Sequence, residues 1–248
     1  MKYKAFKEEE VPYRVLALFG LTREMIEDLP VRVLDSIYEG RISPALPIEV
    51  KDDKGNVFRS RSRFKFSRDE DGEVNVLFYP QYKHCDLEQY DDKQQEALLS
   101  GGAIVAVSPE NKNVKCFVQI DPETNQVMYV PTSAIGRNLK AFMDVFEIST
   151  QDILRMQAGE PVTITEGDEQ LTAGIDLNDR TGIRIQSGDA QRWRKGHEAD
   201  LDKYNFGLWG CWIKDDEGHL KHVWEEDYTD DILAEQQKVI DRNSGMRR

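Results

Sequence analysis

Three segments of the sequence each pass from a helical pattern through a glycine into a strand pattern, and this recurrence limits the possible folds more than any other feature. The segments are VLDSIYEGRISPALPIEV (33–50), QQEALLSGGAIVAVS (94–108) and DILRMQAGEPVTIT (152–165). Their glycines, each with the hydrophobic residue three positions earlier, are Gly40 with Ile37, Gly101 with Leu98, and Gly159 with Met156. Glycine just past the last apolar position is a usual stop for a helix. The recurrence predicts one supersecondary unit used three times, although chance similarity between copies of a common motif stays open.

Each of these glycines is followed by a pattern typical of an antiparallel hairpin or meander. The first, FRSRSRFKFSRDEDGEVNVLFYP, contains a turn signal at Asp71 and Gly72. The second and third are VKCFVQIDPETNQVMYVP and LTAGIDLNDRTGIRIQ. Helix starts are predicted at Thr22, Asp91 and Ser149, whose side chains can accept a hydrogen bond from a backbone N–H of the first turn.

The last 58 residues differ from the rest, because all four tryptophans of the chain lie there. A hairpin closed near Gly218 and a final helix over 229–242 are predicted for this part. We therefore expect an α+β protein made of tandem small units, each with short helices followed by an antiparallel hairpin or meander, plus an aromatic-rich C-terminal module. The predicted domains are residues 1–85, 86–136, 137–190 and 191–248.

Composition restricts the class of protein. Hydrophobic residues make up 39% of the chain and charged residues 32%, which is polar but too apolar and aromatic for a disordered chain. The sequence has no apolar run near the ~20 residues of a membrane span and no signal-peptide core at its start. Three scattered cysteines, Cys85, Cys116 and Cys211, favour reduced thiols over a disulfide framework. These features predict a cytoplasmic location and no membrane partner.

Charge is distributed unevenly along the chain, whose net charge is -13. Residues 1–80 carry 14 Lys or Arg against 15 Asp or Glu, whereas residues 81–248 carry 19 against 31. Because an acidic surface repels nucleic acid, contact with nucleic acid is expected only through the N-terminal part.

One short segment, RSRSRFKFSR (59–68), concentrates five basic residues and contains no acidic one. Alternate residues of a strand share a face, so Phe64 and Phe66 are predicted to point inward. The basic strip on the opposite face consists of Arg59, Arg61, Arg63 and Lys65. Two interpretations stay open: a strip that is solvated or paired within the protein, for example with a strand bearing Glu49, and a strip that binds a phosphate backbone or an acidic partner.

Motifs for catalysis and metal binding are absent from the sequence. It has no CxxC pair, HExxH, GxSxG, P-loop or GxGxxG. His219 and His222 are predicted to point to opposite faces of a strand, and DLNDRTG (176–182) fits a polar turn better than a calcium loop. The helical segment after Gly20 resembles the second helix of a helix-turn-helix, but it carries three acids against one base, which favours plain helix packing. We expect no enzyme, no cofactor and no metal.

The tryptophans allow three interpretations. Trp209 and Trp212 could anchor a protein partner or stack on bases, and more simply they could form the core of a small module poor in aliphatic residues. The acidic surroundings make base stacking the weakest of the three.

Long stretches of the chain resemble two uncharacterised domain families that occur in tandem in proteins of Bacteroidetes conjugative transposons and related mobile elements. The first resemblance is carried by FKEEEVPYRVLALFGLTREMIEDLP, VLDSIYEGRISPALPI and DGEVNVLFYP, and the second by QQEALLSGGAIVAV and KCFVQIDPETNQVMYVP. GIDLNDRTGIRI and DKYNFGLWGCW look like the continuation found in full-length members. The resemblance implies a mobile-element setting and, by association, an accessory role; it supplies no catalytic residues.

The functional expectation is a non-enzymatic binding or scaffold module that recognises a protein partner in mobile-element machinery. The residues expected to bind are Arg59, Arg61, Arg63, Lys65, Trp209 and Trp212. The alternatives are a nucleic-acid accessory protein that contacts phosphates through residues 59–65, and an acidic mimic of DNA.

Overall fold

A computed structural model describes residues 5–146, 148–166, 169–194 and 201–245. Within these ranges lie eight α-helices, twelve strands and two short 3-10 helices, Glu8–Glu10 and Glu225–Asp227. The helices are α1 (Tyr13–Leu18), α2 (Arg23–Glu27), α3 (Val31–Tyr38), α4 (Asp92–Leu99), α5 (Thr132–Phe146), α6 (Thr150–Gln157), α7 (Ala190–Arg194) and α8 (Asp230–Gly245). The strands are β1 (Leu46–Lys51), β2 (Val57–Arg68), β3 (Val74–Pro80), β4 (Ile104–Val107), β5 (Lys115–Ile120), β6 (Val127–Pro131), β7 (Val162–Glu166), β8 (Glu169–Ile175), β9 (Ile183–Ser187), β10 (Tyr204–Phe206), β11 (Gly210–Lys214) and β12 (Leu220–Trp224).

The described strands form four separate antiparallel sheets of three strands, each in simple sequence order: β1-β2-β3, β4-β5-β6, β7-β8-β9 and β10-β11-β12. The α+β class and the repeated helix-and-sheet units are therefore confirmed. Gly40, Gly101 and Gly159 end helices with φ of 82°, 79° and 94°, a region that residues with a Cβ rarely occupy. The hydrophobic residues three positions earlier are all buried, so the last helical turn packs against the core in each unit.

A second local signal recurs in all four sheets, at the turn between the second and third strands. An aspartate directly follows the second strand, donates its backbone N–H across the turn, and accepts the N–H of the residue two positions later with its side chain. These aspartates are Asp69, Asp121, Asp176 and Asp215. An Asp side chain that bonds its own backbone two residues on favours a tight turn, so the four meanders close by the same chemistry.

The predicted N-caps are also confirmed. The side chains of Thr22, Asp91 and Ser149 accept hydrogen bonds from the backbone N–H of Met25, Gln94 and Asp152, respectively, at the starts of α2, α4 and α6. At α4 the Gln94 side chain also accepts the Asp91 backbone N–H, which completes a capping box.

The chain divides into two compact units. The first consists of residues 1–81 and 198–248 and contains the β1-β2-β3 and β10-β11-β12 sheets. Its core joins the N-terminal helices, the inner face of β2 and the C-terminal sheet, and includes Leu16, Phe64, Phe66, Trp212 and Leu220. Residues 1–85 and 191–248, which we predicted as separate modules, thus contribute to one hydrophobic core.

The second unit consists of residues 82–197 and contains the other two sheets. One cluster packs α5 and α6 against β5 and β7 to β9, and a smaller one packs α4 against β4 and β5. Gln119 links its two sheets: the side-chain oxygen accepts the Leu177 N–H at 2.8 Å, and the amide nitrogen donates to the Gly101 carbonyl at 3.1 Å. The four predicted domain boundaries stay a prediction, although each predicted segment contains one sheet.

No helix in the described ranges combines the length and hydrophobicity needed to cross a membrane.

Candidate functional site

Strand β2 has the two-faced pattern that its sequence predicts. Phe64 and Phe66 are buried in the core, and Ser62 on the same face is buried with them. Phe66 meets Phe6 edge-on with ring centroids 5.7 Å apart. The basic residues lie on the opposite face, so the predicted orientation of this strand is confirmed.

The four cations of the basic strip do not form a free cationic surface. Arg59 is exposed and pairs with Glu49 at 3.0 Å on the neighbouring strand, as one interpretation predicted. Arg61 donates to the backbone carbonyls of Ala45 at 2.6 Å and Leu220 at 3.1 Å. Arg63 is buried and donates to the Ser43 carbonyl at 2.8 Å. Two of the four cations therefore support the fold of the first unit, and ligand binding by Arg59 and half-buried Lys65 stays a prediction.

The tryptophans of the C-terminal sheet separate into core and surface. Trp212 is 0% exposed, and its indole N–H donates to the Met25 carbonyl at 2.9 Å. The ring therefore lies inside the core, as the simplest of the three interpretations has it, and partner binding by Trp212 stays a prediction. Trp209 is 45% exposed, and the adjacent Leu208 is 77% exposed. Both lie in the turn between β10 and β11, which we call the hairpin tip (residues 207–210).

A buried carboxylate holds the backbone of the hairpin tip in place. Asp28, at the C-terminal end of α2, has a fully buried side chain. One of its oxygens accepts the backbone N–H groups of Leu208 at 2.6 Å and Trp209 at 2.9 Å. The other oxygen lies 2.8 Å from Nε2 of His222. Because one buried oxygen accepts two successive backbone N–H groups, this side chain fixes the tip from within the protein.

His222 completes this link from the side of the C-terminal sheet. It lies on β12 opposite Trp212, and its ring meets the rings of Trp212 and Trp224 edge-on, at centroid distances of 5.2 and 4.7 Å. Nε2 and the carboxylate of Asp28 are hydrogen-bonded to each other at 2.8 Å. Among the described residues, none forms a hydrogen bond with the buried Nδ1. His222 therefore acts as a partner for Asp28 packed between aromatic rings.

Two glycines allow the tip to approach this pair closely. A Cβ on Gly207 would lie 2.5 Å from the Cβ of Asp28, and a Cβ on Gly210 would lie 2.7 Å from Cε1 of His222. Real side chains do not tolerate such distances between well-packed groups. The sequence Gly-Leu-Trp-Gly thus combines two small residues that face the buried pair with two large residues that face outward.

The surroundings of the pair are strongly desolvated, as two titratable neighbours show. Burial raises the pKa of the Cys211 thiol to about 11, and the negative charge of Asp28 adds to this effect. Burial likewise raises the pKa of Tyr228 to about 12, with smaller effects from Cys211, Glu225 and Asp28. Cys211 therefore stays a protonated thiol near neutral pH, which removes it as a nucleophile.

Sequence reasoning missed Asp28 and His222. Asp28 was counted only as one of the three acids in the helical segment after Gly20, and His222 was considered only as a metal ligand. The available signal was Gly-Leu-Trp-Gly itself, because glycines around two large apolar residues indicate a close backbone approach to something buried. The identity of the buried group, 180 residues away, has no local signal.

Metal binding finds no support in the described part of the chain. No group of three or more His, Cys, Asp or Glu residues among those described is arranged to hold a metal ion. In the turn that begins at Asp176, the Asp176 carboxylate pairs with the Arg184 guanidinium at 2.6 Å. The His219 side chain is partly exposed and lies 3.8 Å from Asp215 and 3.4 Å from Glu217.

Comparison with known proteins identifies one domain. Residues 6–90 match the family model described as Protein of unknown function (DUF4099). The search of curated proteins and the search of solved structures each gave no match. Asp28 lies inside the matched segment, whereas Leu208, Trp209 and His222 lie outside it. Residues 6–90 are therefore similar to this uncharacterised domain, and the first compact unit combines most of that segment with the C-terminal sheet.

Proposed function

We propose that the chain is a non-enzymatic binding module that recognises a protein partner through its hairpin tip. The observation that supports this proposal is the contrast within residues 207–210. Leu208 and Trp209 expose large apolar surface, while their backbone is held by the buried carboxylate of Asp28. A chain that only needed a turn here would not require two exposed apolar side chains on a fixed backbone.

A rigid, exposed tryptophan is well suited to partner recognition. Tryptophan is enriched among the few interface residues that contribute most of the binding free energy. A backbone that is ordered before binding also avoids the entropy cost of ordering it on contact. The tip thus offers one aromatic and one aliphatic anchor whose positions are set by the fold.

The setting of this binding is proposed to be mobile-element machinery. This part rests on the resemblance of long stretches of the chain to two tandem families of conjugative-transposon proteins. The match at residues 6–90 supports the first of these as an uncharacterised domain and adds nothing on the setting.

The geometry favours binding over the alternatives. A nucleic-acid role needs accessible cations, but Arg61 and Arg63 donate to backbone carbonyls of the fold. A catalytic role for Asp28 and His222 needs access to substrate, but their side chains are 0% and 1% exposed. Both observations favour the apolar tip as the binding feature, because its exposed side chains are held on a fixed backbone.

The test compares two double variants in cells that carry the chain within its native genetic element. Leu208→Ser/Trp209→Ser removes the tip, and Leu18→Ser/Leu77→Ser is a matched control, because Leu18 and Leu77 of the same unit are 72% and 45% exposed. We expect an element-encoded protein to co-purify with the wild type and the control and to be lost with the tip variant. A partner that the tip variant retains, or the absence of any element-encoded partner, would contradict the proposal.

A further inference from the structure

The exposed hairpin tip is bordered by an acidic turn, the 3-10 helix Glu225–Asp227. The backbone N–H of Glu225 donates to the carbonyl of Trp209 at 3.2 Å, so the acidic turn begins directly beside the tip. Glu225, Glu226 and Asp227 are all exposed. Within the described part of the chain, no Lys, Arg or His lies within ion-pair distance of these three carboxylates.

A second acidic 3-10 helix of the same unit provides an internal comparison. In Glu8–Glu10 the carboxylate of Glu10 accepts the Lys7 backbone N–H at 2.9 Å and pairs with Arg68 at 3.1 Å. These contacts lower the pKa of Glu10. Among the described residues, cations therefore compensate the acidic turn at Glu8–Glu10 but not the one beside the tip.

The neighbouring acids have a structural explanation that the acidic turn lacks. Asp230 and Asp231 lie in the first turn of α8, where negative charge interacts favourably with the helix dipole. Glu225, Glu226 and Asp227 precede that helix and lie at the end of β12. Like charges crowded at this point repel one another, and a cationic partner would relieve that repulsion.

We infer that the partner segment bound at the hairpin tip is basic: a peptide segment in which an apolar residue packs on Leu208 and Trp209 and flanking Lys or Arg residues face Glu225, Glu226 and Asp227. This inference rests on the proposed function and names the chemistry of its partner. Complementary charge at the rim of an apolar contact increases the association rate and excludes acidic competitors. The apolar contact supplies most of the affinity, because exposed ion pairs contribute little individually.

The test is a selection of peptides from a phage-displayed library of random linear sequences on the full-length protein. Clones that also bind Leu208→Ser/Trp209→Ser are removed. We expect the remaining clones to combine aromatic or aliphatic residues with Lys or Arg. For a synthetic peptide of the enriched sequence, we expect Glu225→Gln/Glu226→Gln to weaken binding about threefold to tenfold at low salt, and added salt to reduce this difference.

The matched control is Glu8→Gln/Glu9→Gln, which removes the same charge from the other acidic turn and should leave peptide affinity unchanged. Thermal melting of each variant checks that it is folded. Two results separate the inference from the proposed function. Tip-dependent peptides that lack basic residues and bind independently of salt would overturn the basic-partner inference alone. Failure to obtain any tip-dependent peptide would count against the proposed function and this inference together.

Discussion

In the first unit the buried carboxylate of Asp28 bonds to His222, 194 residues further along the chain, whereas in the second unit the buried carboxylate of Asp176 bonds to Arg184, eight residues away. Each pair lies beside a fully buried tryptophan: His222 meets Trp212 edge-on, and the Arg184 guanidinium lies 4.2 Å from the ring centre of Trp193. Both pairs are almost completely excluded from solvent.

The two pairs nevertheless hold different parts of the structure in place. Arg184 also donates to the carbonyl of Trp193 at 2.6 Å, and the indole of Trp193 donates back to the Arg184 carbonyl at 3.1 Å. That pair therefore attaches α7 to its own hairpin. Asp28 instead holds two backbone N–H groups of the hairpin tip. The comparison indicates that the buried carboxylate of the second unit serves local stability. The buried carboxylate of the first unit connects distant segments of the chain and also fixes an exposed loop.

The largest effect is expected from Asp176→Ala. This change leaves a buried arginine without its carboxylate, and arginine stays charged under all ordinary conditions. Loss of one partner of a buried pair costs about 3–5 kcal/mol. Hydrogen exchange of the amides of β8 and β9, followed by mass spectrometry, would measure this as a lower opening free energy.

A double variant, Asp176→Leu/Arg184→Met, provides the control for that prediction. Replacing both partners with apolar residues removes the stranded charge, so most of the lost stability should return. A cost of less than about 1 kcal/mol for the single change would contradict this comparison between the units. The pair would then not stabilise the local structure as its contacts indicate.

Asp28→Ala should cost less, about 2–3 kcal/mol, because a histidine left without its partner can be neutral, whereas an arginine cannot. Its effect should nevertheless reach the surface, since the amides of Leu208 and Trp209 lose their acceptor. We expect faster hydrogen exchange at both amides in Asp28→Ala and a smaller change in Asp28→Asn, which keeps an oxygen acceptor. Unchanged exchange at these amides would contradict the anchoring role of Asp28.

The repeated units could be predicted from the sequence because their signals are local. Helix-ending glycines such as Gly159, N-caps such as Asp91, and the alternation of Phe64 and Phe66 with basic residues each act within a few residues. The aspartate after every second strand was an equally local signal that went unused. Such features can be recognised without knowing which segments meet in space.

The contacts of Asp28 with the hairpin tip and His222 could not be predicted, because they depend on which distant segments pack together. Nothing near Asp28 indicates that its carboxylate is buried, and a helix with several acids more often faces solvent. The distribution of tryptophans had the same limit: composition placed four of them in one region but could not decide that Trp212 enters the core while Trp209 stays at the surface.

Gly207→Ala tests the close approach of the tip to Asp28 and should destabilise the first unit by about 2 kcal/mol, since the added methyl group overpacks a buried site. Gly136→Ala is the matched control. Gly136 lies in α5 with no atom within 4 Å of an added Cβ, so alanine there should stabilise the protein by up to about 1 kcal/mol through helix propensity. Thermal melting would show opposite shifts, and a neutral Gly207→Ala would indicate that the tip is not held against the carboxylate.

The smallest effects on stability are expected for substitutions of the β2 arginines. Their costs can be compared with the cost of disrupting the Arg184 pair. Arg61→Ala removes two hydrogen bonds to carbonyls, one of them to Leu220 in the C-terminal sheet, and should cost about 1.5 kcal/mol. Arg59→Ala removes only an exposed pair with Glu49 and should cost less than about 1 kcal/mol. Chemical denaturation would rank the two variants.

DNA binding by the same two variants separates the structural role of β2 from a phosphate-binding one. Because Arg61 and Arg63 are engaged within the fold, we expect no salt-dependent anisotropy change with labelled single- or double-stranded DNA for the wild type or for either variant. A strip that contacted three or four phosphates would instead give a log–log salt slope of about -3, and Arg59→Ala would reduce it by about one contact without affecting stability. That result would indicate that the strip is a binding surface. The first unit would then have two binding sites, a preorganised apolar one at the hairpin tip and a cationic one on β2.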